Sequence, residues 1–228
     1  MTADARLEPL APAGVLAGAS LPSQIADLLE EEITAGALQP GQRLRGDELA
    51  SQYGVSRIPV REALRTLEAA GWIEIRPRYG AYVRQHSAAE LIDLFEVRAV
   101  LEAFAARCAA DRRTDAELAH LKRIVRETRT AAEVGDTATL APLSGQFFAI
   151  LRASAHNSVL EATLGSLAKR ARFYYSTVAG QLGRDWADVH GEVVEAVAAR
   201  DTARAAALVQ EHIQHTGRAV RELLALEG

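Results

Sequence analysis

The chain has 228 residues, 49 % of them hydrophobic and 25 % charged, enough apolar material for one large core or two modest ones. Its net charge of −4 excludes a protein that is basic throughout but not one with a local basic surface. The single cysteine, Cys108, excludes an internal disulfide and fits a reducing cytosol, and no apolar run approaches the length of a membrane span.

Residues 1–20 are rich in Ala, Pro and Gly, with Arg6 between Asp4 and Glu8, and read as a flexible N-terminal arm rather than a signal peptide. Ile25, Leu28, Leu29 and Ile33 recur at helical spacing and predict a helix over 21–35, ended by Gly36. Pro40-Gly41 marks a turn. A short helix follows from about Asp47 to Tyr53, with Leu49 and Ala50 inward and Gly54 past its end. Ser56 is placed to cap the next helix, Pro59 falls in its first turn, and Gly71 closes it. "WIEIRPRYGAYVR" predicts two strands around a Pro-Arg-Tyr-Gly turn.

From Ser87 onward helical periodicity dominates, over roughly 88–111, 115–134, 139–154, 158–179, 186–199 and 202–226. Ser87 with Glu90, and Thr114 with Glu117, have capping-box spacing. Pro142 is expected in the first turn of its helix, and His156-Asn157 at the cap of the next. Cys108, among alanines on a helical pattern, is expected to be a small buried side chain rather than a nucleophile. His86, His120 and His215 are expected at the surface. The fold class is therefore mainly α: an N-terminal winged helix-turn-helix over 21–85, then an all-helical bundle over 86–228.

The helix after Ser56 carries two stripes. At ~100° per residue, Val60, Ala63, Leu64 and Leu67 share an apolar face, while Arg57, Arg61, Arg65 and Ile58 share the face beside it. Glu62 points away, and Glu68 lies on the arginine face one turn further along. Three arginines at i, i+4 and i+8 can be a plain solvated face. A short helix, a three-residue turn and a second helix, however, is helix-turn-helix spacing, in which the second helix enters the DNA major groove. An arginine there can donate two hydrogen bonds to guanine, and Ile58 can pack on a thymine methyl. Ser56 and the helix start suit a phosphate. The hairpin turn adds Arg76, Arg78 and Tyr79 as a wing. Residues 57–84 hold six arginines and three glutamates, a local +3 in a chain whose remainder sums to −7.

"LQPGQRLRGDELASQYGVSRIPVREALRTLEAAGWIEIRPRYGAYV" resembles the winged helix-turn-helix of the GntR family of bacterial transcription regulators. "EVRAVLEAFAARCAA", "HNSVL", "VHGEVVEAVAARDTARA" and "LVQEHIQHT" resemble the effector domain of its FadR-like branch, the FCD type. The resemblance implies DNA contacts from Ser56, Arg57, Ile58 and Arg61, with Arg65 on the same stripe, and from Tyr79 and the wing-tip Gly80 beside Arg78. Ile58 stands where threonine is usual, and Asp47 where some members carry a basic contact; Arg45 nearby is the candidate to compensate.

Many FadR-like domains hold a metal with an Asp and a His four apart on one helix and one His from each of two later helices. Here those positions are Ser144, Phe148, His190 and His212. Phenylalanine cannot ligate and neutral serine ligates poorly, so no cofactor is predicted; a weakly held divalent metal on His190 and His212 would need Gln146, His215 or a shifted alignment to complete the set. The two histidines are instead expected either as hydrogen-bonded core residues or as the lining of an effector cavity. Arg98 lies on the apolar stripe of Leu91, Leu94, Phe95, Leu101 and Phe104 and needs a carboxylate, which is either an anionic effector or Glu102 at i+4. Arg172, Tyr174 and Tyr175 are further candidates for that cavity, with Ser144 and Phe148.

These readings imply a cytoplasmic, homodimeric, ligand-responsive regulator, with no membrane partner, binding a pseudo-palindromic double-stranded operator. Its effector is expected to be a small organic acid, and repression is the commoner sign among such proteins. Two alternatives stand beside it: an enzyme built around His190 and His212, and an architectural DNA-binding protein without an effector. No nucleophile–base set or phosphate loop favours the enzyme.

Overall fold

A computed structural model of the chain describes residues 20–85, 87–175, 178 and 186–225. The arm expected over 1–20 therefore lies outside the described residues save for Ser20, as does His86. The chain divides into two compact units, residues 1–85 and 86–228.

In the first unit, α1 (Leu21–Thr34) starts at Ser20, whose hydroxyl accepts from the Ser23 N–H, and carries a proline at its start, where a missing N–H costs nothing. Ile25, Ala26, Leu29 and Ile33 form its buried face, but Leu28, expected in that stripe, is exposed. α1 packs mainly on α3 (Arg57–Ala69), whose inward residues are Val60, Ala63, Leu64 and Leu67. α2 (Gly46–Tyr53) lies between them in sequence and ends at Gly54, whose φ of 64° is the left-handed conformation that glycine adopts without strain. A three-stranded antiparallel sheet follows the order β1-β3-β2. β2 (Ile73–Arg76) and β3 (Gly80–Val83) are the expected hairpin, in register Ile73↔Val83 and Arg76↔Gly80. β1 (Arg43–Leu44), which the Pro-Gly turn signal had hidden, adds to β3 with Leu44 opposite Ala81.

Among the described residues the second unit comprises six helices: α4 (Ala88–Arg112), α5 (Asp115–Glu133), α6 (Thr137–Ala153), α7 (Ser158–Tyr175), α8 (Trp186–Ala198) and α9 (Thr202–Leu223). Thr114 and Glu117 form a full capping box before α5. Ser87 accepts from the Glu90 N–H, whereas the Glu90 side chain turns to Tyr174 and Arg170. Asn157 caps α7 by accepting from the Leu160 N–H. Pro142 is inside α6 rather than in its first turn, because Asp136 caps the helix and starts it earlier.

α4 is the spine. Its alanines Ala99, Ala103, Ala105, Ala106, Ala109 and Ala110 are buried and let neighbouring helices approach closely. α9 packs tightly on α4, and a Cβ on Gly217 would lie 2.8 Å from the Phe95 side chain. Cys108 is buried with Ala105, Ala155, Leu160 and Leu164, as expected of a small apolar side chain. Phe104 departs from expectation. It is 45 % exposed, because at ~100° per residue it falls on the side of α4 opposite Arg98, with Val97 and Val100.

Candidate functional site

The α2–turn–α3 segment presents the arginine face to solvent. Ser56 occupies the N-cap of α3 with an extended backbone, but its hydroxyl makes no capping bond, contrary to expectation. That hydroxyl and the first N–H groups of α3 are therefore open to an outside acceptor. Ile58 is 60 % exposed on this face, an apolar side chain with no core to enter. Arg61 and Arg65 are exposed and make no ion pair among the described residues. Arg57 does: its Nε lies 2.8 Å from Asp47 Oδ1 of α2, with both side chains largely in water. Glu68, the one carboxylate on the stripe, is turned to the protein, accepting from the Ile75 N–H of β2 at 3.1 Å. Arg45, expected to compensate for Asp47, is paired with Glu48 at 2.7 Å.

The hairpin turn projects the wing residues. Arg78 has a positive φ of 68°, and Tyr79 is 68 % exposed. Arg76 does not extend outward freely: it pairs with Glu74 at 3.2 Å and lies 4.7 Å from the Tyr82 ring. Gly80, at φ 108°, has Arg43 beside it, since a Cβ there would meet Arg43 Nε at 3.4 Å. Arg43 is exposed and is a wing-flanking cation that sequence reasoning passed over because it stands on the unpredicted strand β1.

In the helical unit, a small cavity of ≈ 40 Å³ brings together Arg98 of α4, Ser144 and Phe148 of α6, and His212 of α9, all expected there. Tyr175, also expected, lines it too, and Gly145, Arg152, Ala168, Trp186, Ile213 and Thr216 complete the lining. The signal for Arg152 was present: residues 144, 148 and 152 are four apart and share one face of α6. Arg172, Tyr174 and His190, the other expected members, do not line it. Arg172 is half-buried on α7, near enough to Tyr175 of the lining for its charge to act on that hydroxyl. His190 is fully buried and lies flat on Phe147, with ring centroids 4.0 Å apart and planes 7° apart.

Glu102 is the electrostatic hinge of this region. It is 0 % exposed, and its Oε1 accepts from Arg152 at 3.0 Å and from Arg98 at 3.5 Å. Its Oε2 and the Arg98 Nε have no hydrogen-bond partner. Burial and the nearby Arg98 charge push His212 down to about 4, and burial pushes His190 well below the usual imidazole range, so both rings are neutral near pH 7.

The metal position of related proteins does not fit these residues. Phe148, which cannot ligate, stacks on His212 at 5.9 Å and lies edge-on to His190 at 5.5 Å, while the two imidazoles lie edge-on to each other at 5.3 Å. Both His190 nitrogens are without partners, yet no group of three or more His, Cys, Asp and Glu able to hold a metal occurs among the described residues.

Comparison with known proteins agrees with both units. Residues 21–83 match the bacterial regulatory proteins of the gntR family, and residues 93–215 match the FCD domain. The nta operon transcriptional regulator of Aminobacter aminovorans is 34 % identical over 176 residues, 77 % of this chain and 83 % of its own. The HTH-type transcriptional repressor GlaR of Escherichia coli (strain K12) is 30 % identical over 195 residues, 81 % of this chain and 89 % of its own. The solved structure of E. coli McbR/YncC has the same fold, with a TM-score of 0.77 at 24 % identity over 90 % of this chain and 99 % of that one. The chain thus belongs to the GntR family of bacterial regulatory proteins, with an FCD domain as its helical unit, and is a transcription regulator rather than an enzyme.

Proposed function

We propose that the protein is a cytoplasmic repressor that binds a pseudo-palindromic operator as a homodimer and responds to a small organic acid. The observation that carries the DNA reading is the outward stripe of Ile58, Arg61 and Arg65 on α3. Arg61 and Arg65 are the base or phosphate contacts, Ser56 and the start of α3 hold a phosphate, and Ile58 packs on a thymine methyl. Arg57 joins them once phosphate replaces Asp47 as its partner. Arg78, Tyr79 and Gly80 of the wing, with Arg43 behind them, reach the adjacent backbone or minor groove.

The dimer reading is supported by the exposed stripe Val97, Val100 and Phe104 on α4. Asp93 and Arg107 flank that stripe on the same exposed face. Antiparallel pairing of two α4 helices about Val100 would set each Asp93 near the other subunit's Arg107, the self-complementarity that two-fold symmetry requires.

The effector reading rests on the cavity around Arg98 and Arg152. At ≈ 40 Å³ it has room for little more than water, so an acid can enter only by separating α6 and α9 from α4. A ligand that favours the wider arrangement shifts the equilibrium between two states, which is the requirement for a switch. Selection of genomic DNA fragments on the protein, followed by anisotropy with the selected duplex, tests the proposal. A duplex with two related half-sites, bound by two protein chains per duplex, is expected; sequence-independent binding would reject the operator reading and favour an architectural role.

A further inference from the structure

The effector cavity carries more chemical information than the class "organic acid". Two guanidinium groups, Arg98 and Arg152, line it, and both lean on a single carboxylate oxygen of Glu102. These three groups together hold one excess positive charge at 5 %, 8 % and 0 % exposure. A buried uncompensated charge is costly, and Arg98 Nε lacks any hydrogen-bond partner. The rest of the described lining offers hydroxyls (Ser144, Thr216, Tyr175), the neutral His212, and the apolar surfaces of Phe148, Trp186 and Ile213. Beyond Arg98 and Arg152 the described lining holds no further cation, and Arg172, whose charge acts on Tyr175 from nearby, is not part of it.

We propose that this cavity binds a compact monocarboxylate without a metal: the carboxylate sits on Arg98 and Arg152, and the apolar body lies against Phe148 and Trp186. The inference rests on the effector reading above and narrows it. Phe148 has the central place. Where related proteins place a ligating side chain, its non-ligating ring packs against both His190 and His212, so the anion is held by guanidinium groups instead. Glu102 is then the internal competitor of the effector, holding the arginines in its absence.

The test uses the full-length protein after dialysis against chelator. Three probes of equal length are compared by thermal shift and calorimetry: butyrate, its neutral amide butyramide, and the dianion succinate. Butyrate is expected to raise Tm in a saturable manner with chelator present, and butyramide and succinate are expected to bind at least about tenfold more weakly. Glu102→Gln, which keeps the shape and the acceptor oxygen, is expected to tighten butyrate by about tenfold, an outcome that general loosening of the core does not produce. Arg152→Gln is expected to weaken it similarly. Succinate binding that appears only with added Zn²⁺ overturns the monocarboxylate proposal while leaving the organic-acid reading intact. Absence of any response to butyrate and succinate, with chelator or with Zn²⁺, overturns both. Since the wild-type panel needs no variant, misfolding of either substitution does not block the decision.

Discussion

Asp47 of α2 holds Arg57 of α3 by an ion pair of 2.8 Å that is open to water on both sides. The pair bridges the two helices of the DNA-binding motif, and exposed pairs of this kind contribute about 0–1 kcal/mol to stability. It can therefore be exchanged for a phosphate at little cost. Asp47→Asn removes a negative charge from the DNA-facing side and frees Arg57. Affinity for any duplex should rise, and the slope of log K against log salt should steepen by up to ~1, one additional phosphate contact. Chemical denaturation should change by no more than about 1 kcal/mol. Unchanged affinity and slope would place Asp47 and Arg57 away from the DNA.

Arg61 is exposed without an ion pair among the described residues, in the middle of the same face. If it reads a guanine, Arg61→Ala should cost about 1–3 kcal/mol of specific binding and relax preference at one base position. Anisotropy titrations with operator and scrambled duplexes separate that loss from a uniform one. Equal weakening on both would identify Arg61 as a phosphate contact.

Gly217 is set by the approach of α9 to Phe95 of α4. A Cβ there would lie 2.8 Å from three ring-side atoms of Phe95, too close for any residue but glycine. Gly217→Ala should destabilise the helical unit by about 1–3 kcal/mol through overpacking, despite the better helix propensity of alanine. A lowered Tm is expected; an unchanged or raised one would mean that the helix pair relaxes freely.

Burial lowers His212 to about 4 and takes His190 well below the ~6.5 of the unfolded chain. Between these values the unfolded state binds more protons than the folded one. The stability due to the two neutral rings is thus complete above about pH 6.5 and is lost as pH falls toward 4. For His212 alone the loss is of the order of 3 kcal/mol. Urea denaturation between pH 7 and 5 should show this slope, and His212→Leu should reduce it. A slope unaltered by the substitution would assign acid sensitivity to other groups.

The sequence by itself determined the element types, the helix-turn-helix and wing, and the outward arginine stripe. These depend on spacing along one segment, where 3.6- and 2-residue periods and caps at Thr114 and Asn157 act over a few residues. It also placed Arg98 and Glu102 together, since i and i+4 share a helix face whatever the fold. Beyond that reach the tertiary structure decided. Ser56 holds a cap position without making the cap bond, and Leu28 and Phe104 lie outside the cores that their apolar character suggested. Which side of α4 is buried depends on α6, α7, α8 and α9, far away in sequence. Arg152 meets Glu102 across fifty positions of chain, and Phe148 packs against two histidines from different helices. Contacts of that kind arise from packing several helices at once, and no single segment encodes them; they give the cavity its charge and leave the metal position with a non-ligating ring.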